Sequence, residues 1–298
     1  INFTATAIHY AWENAQYITH EPQTSALSEP KSFSLDLTSK EYYVKVNAEG
    51  DGTGTSWENA MSAEDFALYL PNVPDGVTFY VAEGYYKPIY NQTVTETSVA
   101  KDLTYVINAS VTIMGGYPAD ATTEINPPSS PVDYETVFSG SVGEETETDH
   151  LYTINKGGLD VTLHGIQIRN ASYGVYSSED NAMNSMNIEE CTFINNKSSM
   201  KLVGGDKSTI NIVKTKLESN DSEEDAHVKI QKFAEINISD SEFNKNLSNN
   251  LFDFQCDKTS KVTIEESIFT NNETQSLIQS PDHNGFKINN SKFTGNKC

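Results

Sequence analysis

The sequence is poor in positive charge. Its 298 residues include 20 Lys and Arg against 42 Asp and Glu, which gives a formal net charge of −22, and Arg169 is its single arginine. Such a balance repels phosphate backbones and anionic lipids, which argues against nucleic acid or a membrane surface as a partner. The negative charge itself is explained by solubility.

Long hydrophobic runs and a paired set of cysteines are also missing. No apolar run approaches the ~20 residues that a membrane-spanning helix needs. No signal peptide is visible, and the first residue, Ile1, indicates a processed or trimmed chain. Cys191, Cys256 and Cys298 are an odd number, which excludes a complete disulfide framework. Cys191 stands where related segments carry Thr or Ser, so we predict a buried structural thiol.

Familiar catalytic and metal-binding motifs are absent as well. The sequence has no P-loop, zinc-ligand spacing, HExxH or GxSxG. The best metal candidate is a set of turn acids, Asp240, Glu265 and Glu266, but other repeats place Lys214 and Asn290 at the same turn. Calcium needs several oxygen ligands. We therefore interpret these acids as solvated turn residues, and we predict neither a metal site nor a cofactor.

What the sequence does contain is a repeat. Similar segments begin at Val161, Met186, Ile210, Ile236, Val262 and Phe286, with steps of 25, 24, 26, 26 and 24 residues. Each segment has two alternating apolar pairs and a third short apolar stretch, which is typical of three short strands. Three strands in each such period predict one coil of a parallel β-helix, with coils stacked ~4.8 Å apart. The six residues should form one inward column.

A column of asparagines supports the coils. One Asn follows ten residues after the first apolar residue in five repeats: Asn196, Asn220, Asn246, Asn272 and Asn296. Asparagine tolerates left-handed backbone at a turn, and its amide can bond the coil above or below. We therefore predict an asparagine ladder at this turn.

The repeat loosens towards the N-terminus. Strand patterns followed by Gly turns predict looser coils over 77–158, regular coils over 159–298, and loops projecting between the looser coils. Within 41–76, Ser62 and Asp65 form a capping-box pattern that predicts a short helix over the open end of the stack. Residues 1–40 form an N-terminal extension that alternates like strands and does not fit the coils. It could pack along the β-helix as an edge or be the end of a preceding module.

The opposite end of the stack has no such cap. The last repeat runs to Cys298 without a capping pattern, so its strands should carry unpaired backbone groups. This pattern predicts further coils, a further domain, or contact with another molecule or a second copy at that end.

The opening of the coil region resembles a known family. A Gly-rich loop with G-T-S-W precedes the predicted helix, and a V-A-x-G-x-Y strand follows it, through Gly52, Gly54, Thr55, Ser56, Trp57, Ala82, Gly84 and Tyr86. This arrangement resembles the bacterial right-handed parallel β-helix surface proteins of the pectate-lyase-like superfamily and the polymorphic outer-membrane-protein type. The resemblance implies an all-β, single-stranded right-handed parallel β-helix, located outside the cell or on the outer membrane, with an adhesive or glycan-related role. It does not by itself imply an enzyme.

One candidate binding surface follows from the register of the coils. Alternation on the third strand directs one set of side chains outward: Tyr176, Lys201, His227, Lys229 and Asp253. Their mixed charge and hydrogen-bonding groups could contact a glycan or a cell-surface protein. The alternative is a solvated Lys–Asp pair with little effect on stability.

The sequence is compatible with three functions. A non-catalytic binding protein is preferred, against a polysaccharide lyase or glycoside hydrolase and against a structural spacer. A lyase needs clustered cations, whereas the equivalents of Arg169 in the next repeats are Ile194 and Glu218. Lys229 is the one credible base, and Asp253 beside it favours its protonated form. A hydrolase of neutral glycans is harder to exclude because it needs only two carboxylates.

Overall fold

The computed structural model describes residues 12–13, 16–17, 39–88, 100–122, 134–142, 147–280 and 285–298. The chain divides into two compact units, Ile1–Asp36 and Leu37–Cys298. The first unit is described for one antiparallel pair, Trp12–Glu13 with Gln16–Tyr17. The rest of the predicted extension, and most of the predicted projecting loops, lie outside the described residues, so the domain boundaries stay predictions.

The second unit is a parallel β-helix, in which strands at equivalent positions of successive coils pair in parallel and form three sheets. The first sheet comprises Glu41–Val44, Val77–Ala82, Val111–Tyr117, Asp160–His164, Met183–Glu189, the second half of Ser198–Val213, Glu235–Ser239, Lys261–Glu265 and Gly285–Asn289. The second comprises Gly84–Tyr86, Thr136–Ser139, Gln167–Arg169, Thr192–Ile194, Lys216–Glu218, Glu242–Asn244, Ile268–Thr270 and Lys292–Thr294. The third comprises Tyr105–Ile107, Thr148–Ile154, Ala171–Ser177, the first half of Ser198–Val213, Asp221–Gln231, Leu247–Gln255 and Glu273–Gln279.

The predicted inward column is confirmed. Consecutive members pair in register on the first sheet, in the order Val161, Met186, Ile210, Ile236, Val262 and Phe286. The first five are fully buried, and Phe286 packs partly buried against the same core. The period of about 25 residues therefore predicted both the coil and its interior face.

The asparagine ladder is also confirmed. The side-chain amide and the backbone N–H of each of the first four Asn residues donate to the side-chain oxygen of the Asn in the next coil, as in Asn220 to Asn246 at 2.9 and 3.2 Å. The amide also donates to a backbone carbonyl of the preceding coil. The left-handed backbone was predicted for the ladder residues, and this is wrong. It falls on the residue before each of them, as in Asn195 and Lys245.

A second polar ladder runs beside the first, and the sequence indicated it only through Cys191. Its members lie at the turn between each strand of the first sheet and the next strand of the second sheet: Cys191, Thr215, Ser241, Ser267 and Ser291. The backbone N–H of each of the first four donates to the side chain of the next. The Cys191 thiol donates to backbone carbonyls at 3.3 and 3.4 Å, and burial raises its pKa to about 12. The predicted burial of this thiol is confirmed, since Cys191 is 1% exposed, and burial disfavours the thiolate form that acts as a nucleophile.

The N-terminal cap has the predicted form. The helix Ala63–Tyr69 begins after Ser62, whose side chain accepts the N–H of Asp65 at 3.0 Å. Phe66 faces the core, with its ring 5.0 Å from that of Phe79. Short 3-10 segments lie at Leu70–Asn72, Ala100–Asp102 and Glu179–Asn181. In the described part of the chain, no helix has the length and apolar character that a membrane span requires.

The last coil is more open than those before it. Ile288 and Phe293 are each 42% exposed, whereas Ile264 and Phe269, their register partners in the preceding coil, are fully buried. A side chain of the last coil is covered from one side only. The further coils or partner predicted for this end stay a prediction.

Candidate functional site

Four of the five predicted binding residues lie in one row on the outer face of the third sheet. Register pairs join Tyr176 to Lys201, Lys201 to Lys229 and Lys229 to Asp253. The row continues to Thr153 at one end and Gln279 at the other. Neighbouring members are one strand spacing apart, ~4.8 Å. We call this row, together with His150 and Tyr173 beside it, the third-sheet surface.

The fifth residue, His227, was predicted to point outward, and this is wrong. It is fully buried, and its Nε2–H donates to the carbonyl of Leu247 at 2.8 Å. The strand register shifts between Ser222 and Ala226, just before His227. His227 precedes the inward residue Val228, and both are buried. The same pair of consecutive buried residues recurs in other coils of the third sheet, where the first member is Leu151, Ser199 or Leu251. The prediction assumed an unbroken alternation.

Burial changes the chemistry of His227. Loss of water around the ring lowers its pKa, and hydrogen bonds to nearby backbone carbonyls raise it by less, so the pKa is about 4. The imidazole is therefore neutral near pH 7, and its buried Nδ1 has no hydrogen-bond partner. Such a side chain belongs to the core and cannot contact a ligand on the surface.

An aromatic cluster that the sequence did not reveal lies at one end of the row. The ring of His150 stacks on the ring of Tyr176 at 3.9 Å, with an angle of 9° between the planes. Tyr173 lies 5.6 Å from His150 and 5.7 Å from Tyr176. The ammonium of Lys201 lies 5.5 Å from the centre of the Tyr176 ring, within reach of a cation–π interaction.

The other end of the row is polar. Asp253 is only 6% exposed, and its Oδ2 accepts a hydrogen bond from the amide of Gln255 at 2.7 Å. Gln255 in turn accepts from the amide of Gln231 at 2.8 Å. Asp253 is thus an outward residue that its neighbours largely cover, whereas Lys201 and Lys229 are half-buried. The row offers ammonium, phenol, amide and carboxylate groups in one line.

The acidic turn is built from backbone geometry. Asp240 and Glu266 have left-handed backbone, and their N–H groups donate to the carbonyls of the following coil. The carboxylates of Glu265 and Glu266 accept the amides of Asn289 and Asn290 at 2.8 and 3.2 Å. In the part of the chain that the structure describes, no three His, Cys, Asp or Glu side chains come together as a metal site.

Arg169 lies apart from the third-sheet surface. It is on the second sheet, where its register partners are Ser139 and Ile194, followed by Glu218 in the next coil. The predicted repeat equivalents are confirmed. Its Nη1 donates to Gln167 at 3.4 Å. The cations of the candidate site are therefore lysines alone.

Three sheets, in each of which equivalent strands of successive coils pair in parallel, define a β-helix protein. Residues 150–298, half of the chain, match the family described as "Right handed beta helix region", and the protein belongs to this family. The resemblance noted in the sequence is thereby confirmed for the fold. A solved structure, "Crystal structure of pectate lyase Pel9A", is similar with a TM-score of 0.49 and 16% identity, over 84% of this chain and 62% of that one. A search of curated proteins finds no match.

Proposed function

We propose that this protein is a non-catalytic β-helix that binds a glycan along the third-sheet surface. The observation that carries the proposal is the row of Tyr176, Lys201, Lys229 and Asp253, with the Tyr176 ring held against His150. A location outside the cell, on the bacterial surface, is part of the same proposal and rests on the resemblance of the sequence to exported β-helix proteins.

The chemistry of the row suits a ligand rich in hydroxyl groups. Ammonium groups donate hydrogen bonds, carboxylates accept them, and phenol and amide groups do both. One residue per coil at ~4.8 Å gives a linear array along the stack, as an extended chain of similar units requires. Two of these groups are held in place before binding: the ring of Tyr176 stacks on His150, and the carboxylate of Asp253 accepts a hydrogen bond from Gln255. This lowers the entropic cost of association.

The same row favours binding over glycoside hydrolysis. A glycosidase places two carboxyl groups about 5 to 10 Å apart across the scissile bond. Asp253 has Lys229 on one side and Gln279 on the other, so its neighbours in the row are not carboxylates. A lyase needs cations clustered in one groove, whereas the row carries two lysines, Lys201 and Lys229.

The test is glycan-array binding of the purified protein, followed by affinity measurements on the best ligand. Tyr176→Ala is expected to weaken binding by about tenfold or more, since a buried aromatic anchor contributes on this scale. The matched control is Tyr85→Ala, because Tyr85 is an exposed tyrosine of the second sheet with Lys87 5.8 Å from its ring. Equal losses in both variants, or no binding by the wild type, would contradict the proposal.

The non-catalytic part is tested on the same glycans. Neither unsaturated uronate absorbance nor new reducing ends should appear on prolonged incubation. If either product forms and Lys229→Ala or Asp253→Asn abolishes it, the protein is an enzyme and the proposal is wrong in this respect.

A further inference from the structure

The stacked pair of His150 and Tyr176 is the one place where a histidine meets the third-sheet surface among the described residues. His150 belongs to the coil before Tyr176, and Lys201 belongs to the coil after it. The phenol ring therefore lies between the imidazole, stacked at 3.9 Å, and the Lys201 ammonium at 5.5 Å from the ring centre. A proton on His150 would place cations on both sides of one ring.

The surroundings of His150 provide only partial compensation for such a charge. The described charged groups on the packed elements are Glu147 and Asp149 beside or on its strand, Lys101 and Asp102 from the 3-10 segment, and Lys201 from the following coil. Asp149 is shared with Lys101 at 4.0 Å, and both side chains are about half exposed. Burial lowers the pKa of His150 below its ordinary value of 6.5; Asp149 raises it, and Lys201 lowers it.

We propose that His150 is a pH-dependent specificity determinant of the third-sheet surface, which strengthens the binding of anionic glycans when it takes up a proton. The imidazolium repels the Lys201 ammonium from the ring that they share, and this frees Lys201 to reach a ligand. It also adds one positive charge next to Lys201 and Lys229. A neutral glycan can gain a hydrogen bond from the freed ammonium but no ion pair, so its affinity should rise less than that of an anionic glycan.

The inference rests on the proposed glycan binding, but its first step can be measured on the free protein. Coupling is reciprocal: if the charge on His150 repels Lys201, then the charge on Lys201 must depress the proton affinity of His150. The Lys201→Gln variant should therefore raise the pKa of His150 in an NMR titration, with the resonance assigned by His150→Gln. Lys87→Gln, which removes the cation beside Tyr85 on the second sheet, should leave it unchanged. A titration that Lys201→Gln does not move, or that both variants move equally, overturns the proposal.

The second step uses two polymers in affinity electrophoresis, polygalacturonate as the anionic probe and hydroxyethylcellulose as the neutral one. Between pH 7.5 and the pH at which the NMR titration shows His150 protonated, the wild type should gain roughly fivefold in affinity for polygalacturonate, as expected for one added charge near the ligand in a partly solvated site. The affinity for hydroxyethylcellulose should rise by a smaller factor, because a neutral polymer forms no ion pair with the added charge. The gain should disappear in His150→Gln and should shrink in Lys201→Gln, which keeps the charge of His150 but has no ammonium to release.

The outcomes separate the two proposals. Retention of at least one polymer without the pH-dependent gain for polygalacturonate, or a gain that persists in His150→Gln, overturns the role of His150 and leaves glycan binding in place. Retention of neither polymer at any pH, together with an empty glycan array, overturns both.

Discussion

The N-terminal and C-terminal coils have the same three-strand outline and both bury aromatic rings, as in Phe243 and Phe269 at 4.7 Å, but the asparagine ladder lies in the C-terminal coils. In the N-terminal coils, large aromatic rings fill the space, with Phe138 at 5.1 to 6.0 Å from the rings of Phe66, Tyr86, Tyr105 and Tyr152. In the C-terminal coils the turn after the second sheet carries the asparagine ladder. The equivalent positions of the two coils before it are Thr148 and Ala171.

This difference follows from the regularity of the turns. A ladder needs the same turn geometry in every coil, because each Asn must reach both the next side chain and a backbone carbonyl at hydrogen-bond distance. The regular coils have steps of 24 to 26 residues, whereas long insertions interrupt the coils before them. Aromatic side chains pack in several orientations and tolerate such variation. The polar ladder is therefore confined to the part of the chain with a constant period.

The largest expected effect is the loss of an aromatic ring from the N-terminal core. Phe138→Ala should lower the free energy of unfolding by about 4 kcal/mol, through lost burial and the cavity left among four rings. Phe138→Leu, which keeps most of the volume, should cost about 1 kcal/mol. Urea unfolding of both variants measures the difference. A loss for Phe138→Ala no greater than that for Phe138→Leu would show that this core is loosely packed.

A cut in the asparagine ladder should cost somewhat less. Asn246→Ala removes the bonds from Asn246 to Leu217 and Asn272 and takes the acceptor from two donors of Asn220. Several buried polar groups lose partners, and we expect a loss of about 3 kcal/mol, with faster amide exchange at Asn220. The control is Asn237→Ala. Asn237 is a half-buried residue of the first sheet, and its amide donates to the side chain of its register partner Asn211. Loss of this bond should cost less than about 1 kcal/mol.

The two cuts together sharpen the comparison. Phe138 and Asn246 lie four coils apart, so they share no contact and their effects should add within about 0.5 kcal/mol. A strong interaction energy between them would mean that the structural change caused at one site is transmitted along the stack to the other.

The period of the repeat predicted most of the fold because side chains at equal positions must stack in a β-helix. Val161 and Asn196 could be assigned to columns from spacing alone, and the helix after Ser62 followed from its capping pattern. Local backbone geometry was not encoded in the spacing. The left-handed residue of each ladder turn comes one position earlier than predicted, as Lys245 shows. His227 faces inward just after the register shift in the strand Asp221–Gln231 of the third sheet.

The candidate site was predicted only in the part where repeats could be aligned. Tyr176, Lys201, Lys229 and Asp253 belong to regular coils, and the register confirms their row. His150 precedes the first regular repeat, so no neighbouring segment indicated its position. A comparison of "HLYTI" with "YGVYS" could have aligned Tyr152 with Val175, and would have placed His150 beside Tyr173.

The smallest of the three expected effects concerns His227, a buried polar side chain of the regular coils that no ladder includes. Its pKa is about 4 in the folded protein, against an ordinary value of 6.5. Above pH 6.5 the ring is neutral in both states, and as the pH falls towards 4 the unfolded chain binds a proton that the folded one does not. The wild type should therefore lose about 2 kcal/mol from this group between pH 7.5 and pH 5.

The measurement is the urea unfolding free energy of the wild type and of His227→Gln at both pH values. Any packing defect of the variant weakens it equally at the two pH values, so the change in the difference between the two proteins isolates the titration of His227. The variant should be less destabilised, relative to the wild type, at pH 5 than at pH 7.5, since glutamine has no proton to bind. If the difference is the same at both pH values, His227 titrates alike in the folded and unfolded chains. Water must then reach His227 at the register shift of its strand. The core of the regular coils would be more accessible to water there than beside the asparagine ladder.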